Sequence, residues 1–411
     1  PKVTGDSPVT AVTGEGYFLN TTAGEITINL PAGAAGSIVS MADYAATWQT
    51  NKVTVAPNGS EKIGAIAENA TLNTEGQSVT FVYVDSTQGW LNTMDSTSNV
   101  RGAPPFIIAS GGTPCSGAIC GNYKIHTFTA PGTFTVCCAA GCAGQNVVSY
   151  MVVAGGGGSI NDRGGAGGAG GYREYKNSCD PYTASPLDGN PGGTAITVTA
   201  TAYPIAIGAG GAAQPCTTPP GNDGSDSTFS TITSTGGGGG GKTPGTGNSG
   251  GSGGGGGPGG GGGTGNSPSV SPAQGTNGGS GSPASPPVGN GGGGGATVNG
   301  TNGLAGSGGA GGTGAGTGIN PSPSYGAPGP CGSLRYFGGG GGGGHDTSSP
   351  GAAGVGGGGK GAKGPYPAGS VAADAGTVNT GGGAGGANGG GPSVCAKAGG
   401  SGVVIIRYKF Q

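Results

Sequence analysis

The sequence predicts an all-β protein that carries a glycine-rich bundle. Three observations lead to this prediction: polar and apolar residues alternate near the N-terminus, 108 of the 411 residues are glycine, and the chain ends in an apolar strand. We expect an N-terminal β-sandwich or barrel module at 1–100 and a β base with a hairpin at 101–155. A polyglycine or polyproline II helical bundle at 156–400 follows, and a last base strand at 401–411.

The N-terminal module is predicted from a period of two. In the segment GEITINLP (Gly24–Pro31), Ile26, Ile28 and Leu30 alternate with polar residues, and NKVTVAP and QSVTFVYVD repeat the pattern. Alternation of this kind, with β-branched residues and breaks at Gly, Pro and Asn, indicates half-buried strands. About seven short strands are enough for a small sandwich or barrel.

The base is predicted from three strongly apolar or alternating segments. YKIHTFTAPGTFTV (123–136) is typical of a hairpin that turns at APGT, and NVVSYMVVAG (146–155) predicts a further strand. An isolated strand is not stable in water, so SGVVIIRYKFQ (401–411) should return to the sheet that contains VSYMVV. We also expect strands within the glycine-rich segment at 195–208 and 226–235.

Three structures are compatible with runs of glycine such as Gly338–Gly344. A flexible linker is one, and a collagen helix is another, but collagen requires a strict Gly-X-Y period that this chain breaks repeatedly. The third is a bundle of polyproline II strands, with three residues per turn and backbone hydrogen bonds between neighbours. The regular recurrence of the runs and the return of the chain to a sheet favour the bundle.

One glycine run also fits the pattern of a nucleotide-binding loop. TGGGGGGKTPG (235–245) has the two glycines, the lysine and the threonine at the required spacing. A phosphate-binding loop must lead into a helix, whose N-terminus faces the phosphates. Pro244 and the glycines that follow it oppose a helix, so we interpret the match as accidental.

Composition argues against several other classes of protein. Charged residues are 8% of the chain and the net charge is −2, so no basic face for nucleic acid is expected. There is no CxxC motif and there are only two histidines, so we expect no metal and no cofactor. We expect His126 to be structural and His345 to lie in a loop at one end of the bundle. No apolar segment is long enough to insert into a membrane, and no signal peptide is apparent.

The chain has nine cysteines, an odd number, so at least one is free or intermolecular. Cys115 and Cys120 could close a small loop. Cys137 or Cys138 could pair with Cys142 across a short turn. Disulfides of this kind would stabilise a domain with little apolar core.

Two sets of phrases resemble bacteriophage proteins. The segment from GYFLNTTAGEITINLPAGAAG to VTFVYVDSTQGW resembles a module of fibres from cyanophages and related marine myophages. The ordered phrases YKIHTFTAPGTFTV, VVSYMVVAGGGG, YPIAIGAGG, STFSTITSTGGGGGG and GGSGVVIIRYKF resemble the glycine-rich C-terminal domain of many phage tail fibres. Together the two resemblances extend over nearly the whole chain.

The resemblance implies a tail fibre or receptor-binding protein whose glycine-rich tip recognises a host surface polysaccharide or outer-membrane protein. It implies a homotrimer in the virion that contacts other tail or baseplate proteins. Because no signal peptide is apparent, we also expect the chain to be made in the host cytoplasm and to become extracellular after lysis. The acidic residues form no recognisable catalytic pair, so we expect no enzymatic activity. The alternative is a purely structural fibre, whisker or self-assembling filament.

The sides of a glycine bundle have few side chains that could contact a ligand, so binding would depend on side chains in the loops that end the runs. Tyrosine and phenylalanine provide rigid contact area with little entropy to lose. The loops PSYGAPGPCGSLRYFG, HDTSSPG and GPYPAGS supply the candidates for receptor binding, which are Tyr325, Arg335, Tyr336, Phe337, His345 and Tyr366. The alternative is that these aromatic residues only pack against the bundle.

Overall fold

The structure is a computed structural model that describes residues 1–96, 104–214, 220–364, 370–388 and 395–411. The chain forms two compact units, Pro1–Gly102 and Ala103–Gln411. The predicted all-β fold is confirmed: the described residues contain strands and two short 3-10 turns, Thr4–Asp6 and Ala143–Asn146, but no α-helix.

The N-terminal unit is a sandwich of two sheets, as predicted, and its described residues do not close into a barrel. Its nine strands are β1 (Lys2–Val3), β2 (Val9–Thr10), β3 (Gly16–Asn20), β4 (Ile26–Asn29), β5 (Ile38–Asp43), β6 (Val53–Ala56), β7 (Ala70–Leu72), β8 (Ser78–Asp85) and β9 (Gly89–Ser96). One sheet has the order β1-β3-β5-β8-β9 and the other β2-β4-β6-β7. The alternating apolar residues Ile26 and Ile28 lie in the core with Trp48 and Trp90.

The second unit contains the base. Its strands are β10 (Ile108–Ser110), β11 (Thr113–Cys120), β12 (Tyr123–Phe128), β13 (Gly132–Cys138), β14 (Val147–Val153), β15 (Tyr172–Tyr175), β16 (Ile196–Thr197), β17 (Ala202–Ala206), β18 (Ser227–Phe229), β19 (Ile232–Ser234), β20 (Ala315–Thr317), β21 (Arg335–Phe337) and β22 (Val403–Lys409). The large sheet has the order β11-β12-β22-β14-β15, and β16 also pairs with β14. The second sheet is β10-β13-β17-β18-β19, and β20 pairs with β21 separately.

The C-terminal strand returns to the base as predicted. β22 lies between β12 and β14 and pairs antiparallel with both, with Met151 opposite Ile405. The predicted hairpin of β12 and β13 is wrong, because these strands pair with different partners and belong to different sheets. The turn at Ala130–Gly132 therefore carries the chain from one sheet to the other.

Both faces of the large sheet are buried. Tyr150, Val404 and Ile406 point toward the second sheet and pack with Phe134 and Phe229. On the other face, apolar residues of β14 and β22 pack against residues from the segment 315–337, which leaves the bundle and returns to it. This covering segment explains why the sequences of β14 and β22 are continuously apolar rather than alternating.

The glycine runs form hydrogen bonds with a period of three residues. In the run 165–171, each amide donates to a carbonyl of a neighbouring run, and every third amide donates to the same neighbour, at distances of 2.8 to 3.3 Å. The acceptors of Gly165, Gly168 and Gly171 are Gly241, Gly238 and Thr235; those of Ala166 and Ala169 are Gly291 and Gly294; those of Gly167 and Gly170 are Ala384 and Gly381. A repeat of three residues per turn is that of a polyproline II helix.

The bundle is a hexagonal array around this central run. Its hydrogen bonds reach six inner runs, which are 154–159, 236–241, 251–257, 290–296, 338–344 and 381–387. Each inner run is also bonded to the next one around the ring, as in the bonds from Gly237 to Gly155 and from Gly238 to Ser252. Further runs, here called outer runs, form a second layer around this ring.

Close packing explains the pattern of glycine. A Cβ atom added to Gly341 would overlap the carbonyl oxygen of Ala384, and one added to Gly293 would overlap that of Gly167. All six inner runs accordingly consist mainly of glycine. Several outer runs keep glycine at every third position only, as in VNGTNG (298–303), where Val298 and Thr301 are exposed.

The glycines of the nucleotide-loop pattern belong to an inner run. The amides of Gly237 and Gly240 donate to Gly155 and Gly158, and those of Gly238 and Gly241 donate to another run of the bundle. Those amides are already paired with backbone carbonyls, so they cannot surround a phosphate. The geometry agrees with an accidental match to the pattern.

We predict that the base loses stability in alkaline solution. Burial raises the pKa of Tyr150 and of Tyr408 to about 12. In the unfolded chain these tyrosines release their protons near the ordinary tyrosine pKa of about 10. The stability of the base is therefore fully retained below that pH, and it falls as the pH rises toward about 12. Thermal melts between about pH 9, which lies below the ordinary tyrosine pKa, and about pH 12 would measure the effect.

The double variant Tyr150→Phe with Tyr408→Phe should show a shallower fall in Tm over the same pH range. Tyr44→Phe is a suitable control, because that side chain is 53% exposed. A slope in the double variant equal to that of the parent protein would contradict the assignment.

Candidate binding surfaces at the two ends of the bundle

The bundle has a base end and a far end. The run 154–159 leaves β14 at the base end, and the run 165–171 leads back into β15, so residues 160–164 form a loop at the far end. Successive runs alternate in direction, which assigns each described loop to one end. Within the described residues, the far end includes the loops 160–164, 242–245, 283–288, 304–307 and 345–349.

The candidates Tyr325, Arg335 and Tyr336 lie at the base end, in the covering segment 315–337. The Arg335 guanidinium donates to the backbone carbonyls of Tyr325 at 2.8 Å and Pro323 at 3.1 Å, so it holds this loop closed. The Tyr336 ring packs where side chains on Gly316 or Gly329 would otherwise stand. These contacts stabilise the loop, and each of the three side chains remains partly exposed.

Phe337 is fully buried. Its ring lies in the core on the second face of the large sheet, together with Met151, Tyr172 and Ile405. A side chain in that position contacts the base and cannot reach a ligand at the surface. We therefore leave Phe337 out of any binding surface.

His345 lies at the far end, but its side chain is also buried. Its Nδ1 accepts hydrogen bonds from the amides of Thr347 at 3.1 Å and Ser348 at 2.8 Å, and its Nε2 donates to the carbonyl of Ala305 at 3.1 Å. These bonds require a neutral ring with the proton on Nε2. His345 thus joins two far-end loops without being available to a ligand. The remaining candidate, Tyr366, lies outside the described residues.

The predicted disulfides do not form. Cys115, Cys120, Cys137 and Cys142 are free thiols. The backbone carbonyl of Cys115 accepts a hydrogen bond from the amide of Gly111 at 2.8 Å, whereas Cys120 pairs with Tyr123 at the other end of β11. The backbone therefore holds these two cysteines at different positions. Cys137 lies within β13, and Cys142 lies beyond the end of that strand.

Sequence reasoning missed the charged residues at the far end. The guanidinium of Arg163 lies 3.2 Å from the carboxylate of Asp346, which also accepts the amide of Val288 at 3.2 Å. The hydroxyl of Thr243 donates to the carbonyl of Arg163 at 2.8 Å, so four far-end loops are linked. Leu304 is 61% exposed beside them. The sequence did contain a signal for this cluster, because the chain has few charged residues and these stand between glycine runs.

The N-terminal unit has a separate open groove of about 490 Å³ on the outer face of its β1-β3-β5-β8-β9 sheet. Phe18 is 61% exposed and Met94 is 69% exposed at this groove, and the small residues Ser40 and Thr80 lie between them. An exposed apolar surface of this kind is typical of a contact with another protein.

Among the described residues, histidine, cysteine, aspartate and glutamate form no group of three that could bind a metal. The same described residues contain no helix with the length and apolar character needed to cross a membrane.

The fold defines a class of protein in which a β base anchors a hexagonal glycine bundle. The chain belongs to the family described as glycine-rich domain, whose model matches residues 128–409. This range begins at the end of β12, includes the whole bundle and ends with β22. No curated protein matches the sequence.

Proposed function

We propose that the protein is a phage tail fibre or adhesin that recognises a host surface receptor through the far-end loops of its bundle. The observation that supports this proposal most is that, among the described residues, β14, β15, β19 and β22 connect the bundle to the base at one end only. The described part of the opposite end consists of loops on a rigid support, an arrangement that suits recognition because a rigid scaffold reduces the entropy lost on binding.

The far-end loops supply contact residues of several kinds. Arg163 is 40% exposed at its side chain and can pair with an acidic group, and Leu304 can contact an apolar surface. Thr347 and Ser348 add exposed hydroxyls. The receptor is a polysaccharide or an outer-membrane protein of the host.

The N-terminal unit is the part that contacts other tail or baseplate proteins, and its apolar groove supports this role. In the proposed life cycle the chain is made in the host cytoplasm, assembles as a homotrimer in the virion and is released by lysis. It is not an enzyme. The competing proposal is a purely structural fibre or filament subunit without a receptor.

The proposal predicts that one far-end substitution abolishes binding to cells. The fluorescently labelled full chain would be applied to whole cells of a panel of marine bacterial isolates. On any isolate that binds the parent protein, Leu304→Asp should reduce cell-bound fluorescence at least about ten-fold, the effect of losing one well-packed apolar anchor. The Tm should be unchanged, because Leu304 is exposed.

Val298→Asp is the matched control. Val298 is 50% exposed on an outer run near the base end, so the same kind of change is made away from the proposed surface. Equal loss of binding in both variants, or binding to no isolate, would contradict receptor recognition by the far end and would favour the structural fibre.

A further inference from the structure

Within the described residues, one position of the hexagonal array is vacant. In such an array, an outer run at an edge contacts two inner runs, and an outer run at a corner contacts one. The run 221–226 is an edge, because it is bonded to both 154–159 and 236–241, and the run 208–214 is a corner, bonded to 154–159 alone among the inner runs. Beyond the inner run 236–241, the described residues place no run at the corner.

Two carboxylates occupy this vacant corner. The outward amides of the inner run, those of Gly236 and Gly239, donate to Asp226 Oδ1 at 2.9 Å and Asp223 Oδ1 at 2.7 Å. These amides are three residues apart, which is the period at which a neighbouring run would accept them. The two side chains therefore take the place of the carbonyls of a missing run.

The corner run 259–263 differs from the other corner runs of the array. It is the one corner within the described residues that consists entirely of glycine, and Gly260, Gly261 and Gly262 are partly exposed. Its hydrogen bonds to described residues reach three neighbouring runs on its inner side, and the amides of Gly261 and Gly262 and the carbonyl of Gly262 form none. Its outer side thus presents unpaired backbone groups without side chains.

We propose that the corner run 259–263 of one copy fills the vacant corner of a second copy. The vacancy is bordered by three runs, 221–226, 236–241 and 245–248, and the glycine corner lacks neighbours on three sides, so each supplies what the other lacks. The unpaired carbonyl of Gly262 would accept an outward amide of the partner. The carboxylates of Asp223 and Asp226, both exposed, would turn to solvent.

The positions of the two corners determine the number of copies. The vacancy and the glycine corner lie beyond adjacent inner runs, 236–241 and 251–257, so they point one-sixth of a turn apart. For the vacancy of one copy to meet the glycine corner of another, the outward directions of these two surfaces must differ by half a turn. They already differ by one-sixth of a turn within a copy. One copy is therefore rotated by the remaining one-third of a turn relative to the other. Helices with three residues per turn pack equally well after that rotation. A contact between unlike surfaces with this rotation closes into a ring of three copies.

This inference deepens the trimer of the proposed function by assigning it an interface, and it is independent of receptor binding. Its test is the mass of the full chain by sedimentation equilibrium across a concentration series in reducing buffer. We expect a concentration-dependent trimer for the parent protein. Removing the competing carboxylates in Asp223→Ala with Asp226→Ala should produce the trimer at about ten-fold lower concentration.

Gly261→Leu should abolish the trimer without lowering the Tm. In the single copy, an added Cβ at Gly261 meets only Thr246, at 3.6 Å or more, whereas in the vacancy it would be enclosed. Ala352→Leu, an exposed position on the corner run 350–355, is the control and should remain trimeric. A Gly261→Leu protein that stays trimeric, or a double aspartate variant that stays monomeric at every concentration, would overturn the proposal. Neither result depends on whether any cell binds the protein.

Discussion

Gly167→Val should destroy the glycine bundle. Gly167 lies in the central run, and a Cβ atom there would overlap the carbonyl oxygen of Gly157. Six inner runs surround this position, so the backbone cannot move aside without breaking hydrogen bonds on every side. We expect a loss of more than about 4 kcal/mol in the free energy of unfolding, or failure to fold.

Thermal denaturation followed by circular dichroism would measure this loss. The control is Ala352→Val, because Ala352 is exposed on an outer run, where its side chain points to solvent. The free energy of unfolding should change by less than about 0.5 kcal/mol in this control. Equal Tm values for the two variants would show that the central run is not enclosed.

Asp180→Ala should cost about 3 to 5 kcal/mol of the stability of the base. The carboxylate of Asp180 lies 2.9 Å from the guanidinium of Arg407, and both side chains are almost completely buried. Arg407 also lies over the ring of Tyr123, at 4.6 Å from its centroid. Removing the carboxylate would leave a buried cation without its partner, and that cost exceeds the value of the pair itself.

Burial raises the pKa of Asp180 more than the neighbouring Arg407 lowers it, so ionising this pair is itself costly. The double variant Asp180→Leu with Arg407→Met should therefore recover most of the stability that Asp180→Ala loses. The control is Arg163→Ala, which breaks the partly exposed pair with Asp346 and should cost less than about 1 kcal/mol. Chemical denaturation of the four proteins would decide, and a small loss in Asp180→Ala would contradict the assigned role.

Much of the fold could be predicted because its signals are local. Alternating residues mark the strands of the N-terminal unit, and the apolar C-terminal segment requires a partner sheet. The sequence also contains part of the layering of the bundle: nearly continuous glycine marks the inner runs, and glycine at every third residue marks several outer runs. The outer run 259–263 consists of glycine alone and is the exception on which the proposed interface depends.

The pairing of strands could not be predicted from the same signals. β12 and β13 alternate as the two strands of a hairpin would, and the turn between them is short. Alternation specifies which face of a strand is buried but does not specify which strand lies beside it. The long segments between these strands and their partners, β17 and β22, carry no local signal of that pairing.

The candidate site was only partly predictable. Aromatic residues next to glycine runs were reasonable candidates, but assigning a loop to one end requires the direction of every preceding run. The segment 315–337 therefore could not be placed at the base end from sequence. The burial of Phe337 had a signal, because two continuously apolar strands require cover on both faces.

The central claim is that the glycine-rich segment is an ordered, hydrogen-bonded array. Native-state hydrogen exchange of backbone amides tests it most directly. In the central run 165–171, every amide donates to another run, so these amides should exchange only when the bundle opens. Exposed amides such as those of Gly261 and Gly262 should exchange quickly in the monomer. Protection of the central run confirms the array, and exchange of residues 165–171 at the rate of an unfolded peptide would contradict it.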